Sequence, residues 1–349
     1  MKKNWIRWLV LFFCVIWIVG CERVNQRRAR RIANQAVGLI KDSQFSSARS
    51  LLLESLALNP NDAHARYLLG RVYEEQRQLP EAIQEYNRAI YLKPDYYQPH
   101  FSLGGIYYRT KEYSKAAEHY EKVIAQKPDH LFGIYHLGLS LHQTRSYQRS
   151  EEMLRKVISI KSQFVDAYNA LAMLFFDRAE EAQLQSGVAQ ADPLYRNAID
   201  ILEQVQRLGI ANSQSHNSLG LIYQKQKQFQ LAVQSFRTAM KEIPIAAFNL
   251  GTTYDLWLEE LLNQLKTMED GPQKDNVMAE VGQRRDQAID AFKEYLQLSQ
   301  GDPAMREQVR IKINKLQLMK EKEIADKLEA QKKKTSPKHR GKRKPPRRR

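Results

Sequence analysis

Apolar positions in this chain recur with two periods at once. Leu69 and Tyr73 lie four residues apart, as do Ala82 and Tyr86, the spacing that puts side chains on one face of a helix. The longer period advances in equal steps of 34 along the numbering. Leu69-Gly70 recurs as Leu103-Gly104 and Leu137-Gly138 and reaches Leu171-Ala172 at the next step. Tyr73, Tyr107, Leu141 and Phe175 follow each pair three residues on. Ala82, Ala116 and Ser150 come twelve residues after each Gly, and Tyr86, Tyr120 and Leu154 four after those. Pro60, Pro94 and Pro128 close the units, with Ser162 in the next place. Each unit therefore predicts two short amphipathic helices. Gly and Ala stand where helices approach closely and larger apolar residues fill the spaces between, so no unit buries its face alone and neighbours share one core.

The period bends at known places. The first unit, 29–62, has Ala36 at the Gly position but keeps Ala48, Leu52 and Pro60. Leu219-Gly220, Tyr223, Ala232, Phe236 and Pro244 restore the full pattern. The step from Ala172 to Gly220 is 48 rather than 34, which places an insertion of 14 near 178–192, and Asp192-Pro193 is expected to restart the second helix as N-cap and first helical residue. A seventh unit opens at Leu250-Gly251 and Tyr254, yet Ala288 and Phe292 come later than the period requires by 25. The excess, near 259–286, predicts two lengthened helices, about 245–268 and 274–298, turning at Gly271-Pro272. Asp302-Pro303 then signals a further helix, so 299–334 is expected to cap the array, with a charged second half, Lys320–Lys334, reaching into solvent.

A 34-residue unit reading L-G-x2-Y, then A-x3-Y and a closing Pro, resembles the tetratricopeptide repeat, and seven units are counted over 29–298. The resemblance implies an all-α solenoid, a right-handed superhelix of helix-turn-helix repeats, acting as a non-enzymatic scaffold for proteins. It also implies that first-helix positions one turn from the Gly face a concave groove. Here these are Tyr67, Arg71, Glu74, Phe101, Tyr108, Tyr135, Leu139, His142, Met173 and Phe176. So many aromatic and apolar side chains suit an extended or helical peptide with apolar anchors. Packing against neighbouring helices is the other reading of the same residues. Repeats that clamp an acidic C-terminus carry Lys and Asn at these places, and this chain does not.

Residues 1–21 break the pattern. Lys2, Lys3 and Arg7 precede an unbroken apolar run, Trp8–Val19, well short of the roughly 20 residues that span a bilayer as a helix. These are the proportions of a signal peptide over 1–20. The run ends Ile18-Val19-Gly20-Cys21, which resembles the bacterial lipobox and implies that Cys21 becomes the lipidated N-terminus, with 21–28 a linker. Lipoproteins with such repeats, pilotins of type IV pilus secretins among them, assist assembly of envelope machines, so the resemblance implies a scaffold outside the cytoplasm. Against export, Arg23, Arg27, Arg28, Arg30 and Arg31 follow the run closely. An uncleaved signal anchor with the body in the cytoplasm is the alternative.

Composition adds two constraints. The chain has 349 residues, 43% hydrophobic and 27% charged, which excludes a mostly disordered protein. Cys14 and Cys21 are its only cysteines, so the body holds no disulfide framework or Cys-based zinc site. The net charge of +16 is concentrated at the ends: three cations in 1–20 and eleven in 332–349, with no acid in either, leave the middle near neutral. A basic body gripping nucleic acid is thereby excluded. The eleven are Lys332, Lys333, Lys334, Lys338, Arg340, Lys342, Arg343, Lys344, Arg347, Arg348 and Arg349. Residues 335–349 lack large apolar side chains and are expected to be disordered. Such a tail binds by charge. Its partners are acidic lipid or polymer outside the cytoplasm, or nucleic acid if the body lies inside.

Chemistry is sparse. The eight histidines form no HExxH, and His130, His136 and His142, six apart, do not gather on one helix face, so no metal, cofactor or catalytic group is expected. Gly104-Gly105 reads as a helix contact, not a phosphate loop.

Overall fold

The computed structural model describes residues 3–300 and 302–335, with side chains described for 22–300 and 302–329. The described residues form an all-α tetratricopeptide-type solenoid divided into two compact units, 1–174 and 175–349.

Unit 1 holds α1 (Lys3–Lys41), α2 (Phe45–Leu58), α3 (Ala63–Glu75), α4 (Leu79–Leu92), α5 (Tyr97–Arg109), α6 (Tyr113–Gln126), α7 (Leu131–Gln143), α8 (Tyr147–Ile160) and the start of α9 (Val165–Ser186). From α1 to α8 each helix packs on the next, so every repeat is a hairpin leaning on its neighbour. The hairpins close where Gly removes a side chain. A Cβ added at Gly104 would lie 2.8 Å from the Tyr120 ring, so α5 and α6 approach closer than any other residue permits. In the fourth repeat Ser150 replaces the usual Ala, and its buried hydroxyl donates to the Gly138 carbonyl at 2.7 Å.

The turns inside the repeats share one device. Ser43, Arg77, Lys111 and Arg145 adopt φ between 57° and 64°, and Lys227 repeats it in unit 2 at 56°. The amide that follows each of them reaches back to the end of the preceding helix, as Glu112 N to Tyr107 O at 2.8 Å, a Schellman motif that satisfies a carbonyl there.

Unit 2 continues α9 and holds α10 (Val188–Arg207), α11 (Ser213–Lys225), α12 (Phe229–Ala239), α13 (Pro244–Leu265), α14 (Pro272–Leu298) and α15 (Pro303–Thr335). The elongated α13 and α14 form the most extensive helix pair, and α15 packs along α14. Here α15 stays attached beyond its midpoint: Lys320 pairs with Asp286 and Glu323 with the buried Arg285, so residues 320–323 do not project freely.

Two further expectations need correction. Asp192-Pro193 does not start a helix. α10 begins at Val188 after Gly187 (φ 86°) and runs through Pro193. Pro193 has no amide hydrogen to give the Ala189 carbonyl, and because Ala189 is an exposed residue in the first turn of α10 the missing bond is tolerated there. Residues 21–28, read as a linker, lie within the continuous helix α1, because the stretch has neither Gly nor Pro and is rich in Arg, a good helix former. Cys21 and Lys332, Lys333 and Lys334 fall in α1 and α15 where side chains are not described. Lys338, Arg340, Lys342, Arg343, Lys344, Arg347, Arg348 and Arg349 lie outside the described residues. No helix among the described residues is long and apolar enough to cross a membrane.

Candidate functional site

The repeat period brings equivalent residues of α3, α5 and α7 to equivalent places on adjoining hairpins. Tyr67, Phe101 and Tyr135 occupy one such row, Arg71, Gly105 and Leu139 a second, and Glu74, Tyr108 and His142 a third. All nine are half-buried, neither sealed in the core nor standing free. Both sequence readings describe part of what they do.

Each aromatic leans on its own or the adjoining hairpin and leaves the rest of its surface open. The Tyr67 ring centroid lies 5.4 Å from Tyr96 and 5.8 Å from the buried Tyr86. Phe101 meets His130 at 5.2 Å and the buried Tyr120 at 5.7 Å, both inclined. Tyr135 meets Phe164 edge-on at 5.2 Å, and Tyr108 meets Tyr113 at 5.3 Å. These contacts hold the rings in fixed orientations, so little side-chain entropy remains to be lost on binding. Burial raises the Tyr67 and Tyr108 hydroxyls above the ordinary value, and burial with the Asp166 charge pushes Tyr135 up to about 12. All three stay neutral donors at physiological pH.

The charged members differ. Glu74 accepts from the Tyr86 hydroxyl at 2.8 Å and pairs with Arg109 of the next repeat. Arg71 has no ion pair among the described residues. His142 packs near Tyr147 at 6.1 Å. Met173 and Phe176 are both half-buried but fall on opposite sides of the division, and Phe176 packs on Tyr195 within unit 2 at 5.9 Å.

Sequence reasoning missed three members of this surface. Phe132 is 52% exposed and packs edge-on against Phe164 at 5.9 Å. It follows Gln98 by one period and lies outside the three rows, so the register of the groove positions did not single it out. His136 stacks on Tyr120 at 5.5 Å, a contact between helices that no local spacing announces. Gly105, read with Gly104 as a helix contact, is not one: a Cβ there would meet only the Tyr120 hydroxyl, at 3.8 Å. Among the described residues no group of His, Cys, Asp or Glu is arranged to hold a metal.

Models of the tetratricopeptide repeat match residues 34–97, 97–130, 133–164 and 213–244, so both units carry repeats of this family. By class the chain is a protein-binding scaffold. A search of curated proteins finds no match. Solved structures of similar architecture include Pseudomonas aeruginosa PilF, 17% identical with a TM-score of 0.49, covering 63% of this chain and 94% of that one. MamA from Desulfovibrio magneticus RS-1 is 16% identical with a TM-score of 0.41, covering 50% of this chain and 96% of that one. YrrB, described as a TPR protein with an unusual peptide-binding site, is 15% identical with a TM-score of 0.43, covering 54% and 91%. Likenesses at this level concern the fold alone.

Proposed function

We propose that this protein is a non-enzymatic scaffold, lipid-anchored through Cys21 to a bacterial membrane, that takes peptide segments of its partners along the α3–α5–α7 face and serves assembly of a cell-envelope complex of pilus, secretion or motility type. The observation that carries it is the row of half-buried aromatics, Tyr67, Phe101 and Tyr135, repeated at one position of three hairpins with each ring only partly covered by its own chain. Positioned rings with neutral hydroxyls bind apolar side chains and backbone carbonyls, and offer nothing to break or form a covalent bond. The anchor is supported by the Gly20-Cys21 junction after the apolar run. The basic tail 332–349 is a second, weaker attachment to acidic lipid or polymer.

One observation favours a second reading. Five arginines between residues 23 and 31 oppose export, which would leave the body in the cytoplasm and offer the tail nucleic acid. Labelling cells with a fatty acid separates the two. Label on wild type but not on Cys21→Ala, with a mass loss matching residues 1–20, is the expected result; an unlabelled, full-length protein overturns the lipoprotein and favours the cytoplasmic adaptor. The groove is tested by pull-down with Tyr67, Phe101, Tyr108 and Tyr135 changed to Ala, in a variant that keeps its helical circular dichroism. Equal recovery of partners removes it.

A further inference from the structure

Seven glycines sit inside α3, α5, α7, α11 and α13, and six of them have a packing reason. A Cβ at Gly70, Gly104, Gly220 or Gly251 would fall 2.6 to 2.8 Å from an aromatic ring of the paired helix. At Gly133 it would meet Val123 at 2.9 Å, and at Gly138 it would press on Leu154 at 3.1 Å. Gly105 has no such reason. Its nearest neighbour would be a hydroxyl oxygen at ordinary contact distance, and Gly in mid-helix is otherwise less stable than Ala. The equivalent places in the neighbouring repeats hold Arg71 and Leu139. Side chains therefore fit this row, and at residue 105 one is missing.

The floor of that gap is also unusual. In the preceding repeat the Tyr86 hydroxyl donates to Glu74 at 2.8 Å. One period later Tyr120 replaces Tyr86 and Tyr108 replaces Glu74, so the carboxylate acceptor is gone. Tyr120 is 1% exposed, yet its hydroxyl has no hydrogen-bond partner among the described residues and stands below Gly105. The hydroxyl is thus a hydrogen-bond donor that the described residues leave unused, at the floor of the gap where an entering group can meet it. Phe101 and Tyr108, one turn to either side of Gly105 on α5, wall the gap with aromatic surface.

We propose that Gly105 leaves a specificity notch on the α3–α5–α7 face that receives one bulky aliphatic or aromatic side chain of an extended peptide, whose backbone carbonyl accepts a hydrogen bond from the Tyr120 hydroxyl. This rests on the groove reading above and names its selective element. Charge sets the ligand's flank. Arg71 has no ion-pair partner among the described residues whereas Glu74 is neutralised by Arg109, so the favoured peptide carries an acidic residue on the α3 side of its apolar anchor.

The test uses the full chain in nonionic detergent and a random peptide library displayed on phage. Wild type is expected to enrich peptides sharing a bulky apolar residue beside an acidic one. Gly105→Leu fills the notch and should weaken those peptides at least roughly tenfold. Gly105→Ala should raise the melting midpoint by about 2–4 °C through helix propensity and still weaken binding, a combination that a purely structural glycine does not give. Tyr120→Phe should leave the midpoint unchanged and lower affinity by about three- to tenfold. Retained affinity in Gly105→Leu overturns the notch; if Phe101→Ala and Tyr135→Ala still lose binding, the groove survives. Absence of enrichment, or peptides indifferent to all of these changes, overturns groove and notch together. Self-association of wild type that Gly105→Leu abolishes would make a second copy the occupant and also overturn the peptide proposal.

Discussion

The two units build the same hairpin and treat its inner positions differently. In unit 1 the α3, α5 and α7 positions carry aromatics that stay half-buried, Tyr67, Phe101, Tyr108 and Tyr135 among them. In unit 2 the corresponding stretches of α11 and α13 are tied to one another: Asn249 donates to Asn217 at 3.0 Å, and Gln224 to Thr253 at 2.8 Å. Asp255 pairs with Lys312 of α15 at 2.9 Å. Polar groups satisfied inside the chain have nothing left to offer a ligand, whereas half-covered rings do. The repeat motif builds the hairpin, and the residues around it decide whether a face is spent on stability or kept for binding.

The harshest way to break this comparison is Gly104→Trp. An indole where a Cβ already meets Tyr120 at 2.8 Å should cost unit 1 more than about 4 kcal/mol and abolish its cooperative unfolding by circular dichroism. An unchanged melting curve would mean that this contact does not close the α5–α6 hairpin.

Acid should act on unit 1 next. His100 and His119 approach with their Nδ1 atoms 3.0 Å apart, and His119 also stacks on Tyr107 at 5.4 Å. Burial, then the neighbouring His100, lowers His119 to about 4; burial and Lys122 lower His100. Both folded values lie below the unfolded one, so the unfolded chain binds more protons and stability falls as pH drops from about 6.5 towards 4. After solvent screening of a half-buried ring, His119 contributes about 2 kcal/mol to that loss. His119→Phe should flatten the denaturation midpoint over this range, and an unchanged pH profile would dismiss the pair as its source.

Unit 2 has its own weak point in Arg285, whose side chain is 7% exposed between Asp286 and Glu323. Lys327 and Arg285 together hold the Glu323 carboxylate below its usual range, so Arg285→Met leaves it a single cation, should cost about 1 kcal/mol, and should loosen α15, read as faster amide exchange beyond residue 312. Exchange unchanged there would show that α15 is held by apolar contacts alone. The smallest effect is at a turn. Lys111→Gly, at φ 64°, should stabilise by about 0.5 kcal/mol, because Gly adopts this conformation without strain, partly offset by its freer unfolded chain.

What the sequence by itself determined about this protein is the hairpin and the residues at its close contacts, because Gly at one place of a 34-residue period and a large apolar residue sixteen places on bring the two helices of a unit together there. Lengthened units were legible for the same reason: the motif's halves simply moved apart. Local signals misled where tertiary contacts outweighed them. Asp192-Pro193 looks like a helix start but lies inside α10, since the preceding residues extend the hairpin before Pro193 is reached. The arginines after Cys21 look like a linker but continue a helix. Only the tertiary structure decided that Gly104 and Gly105, adjacent in sequence, face in different directions, one against Tyr120's ring and the other over its hydroxyl. Adjacent residues on a helix are rotated by about 100°, and which of the two meets a neighbour depends on where that neighbour's helix lies, a quantity no local pattern contains.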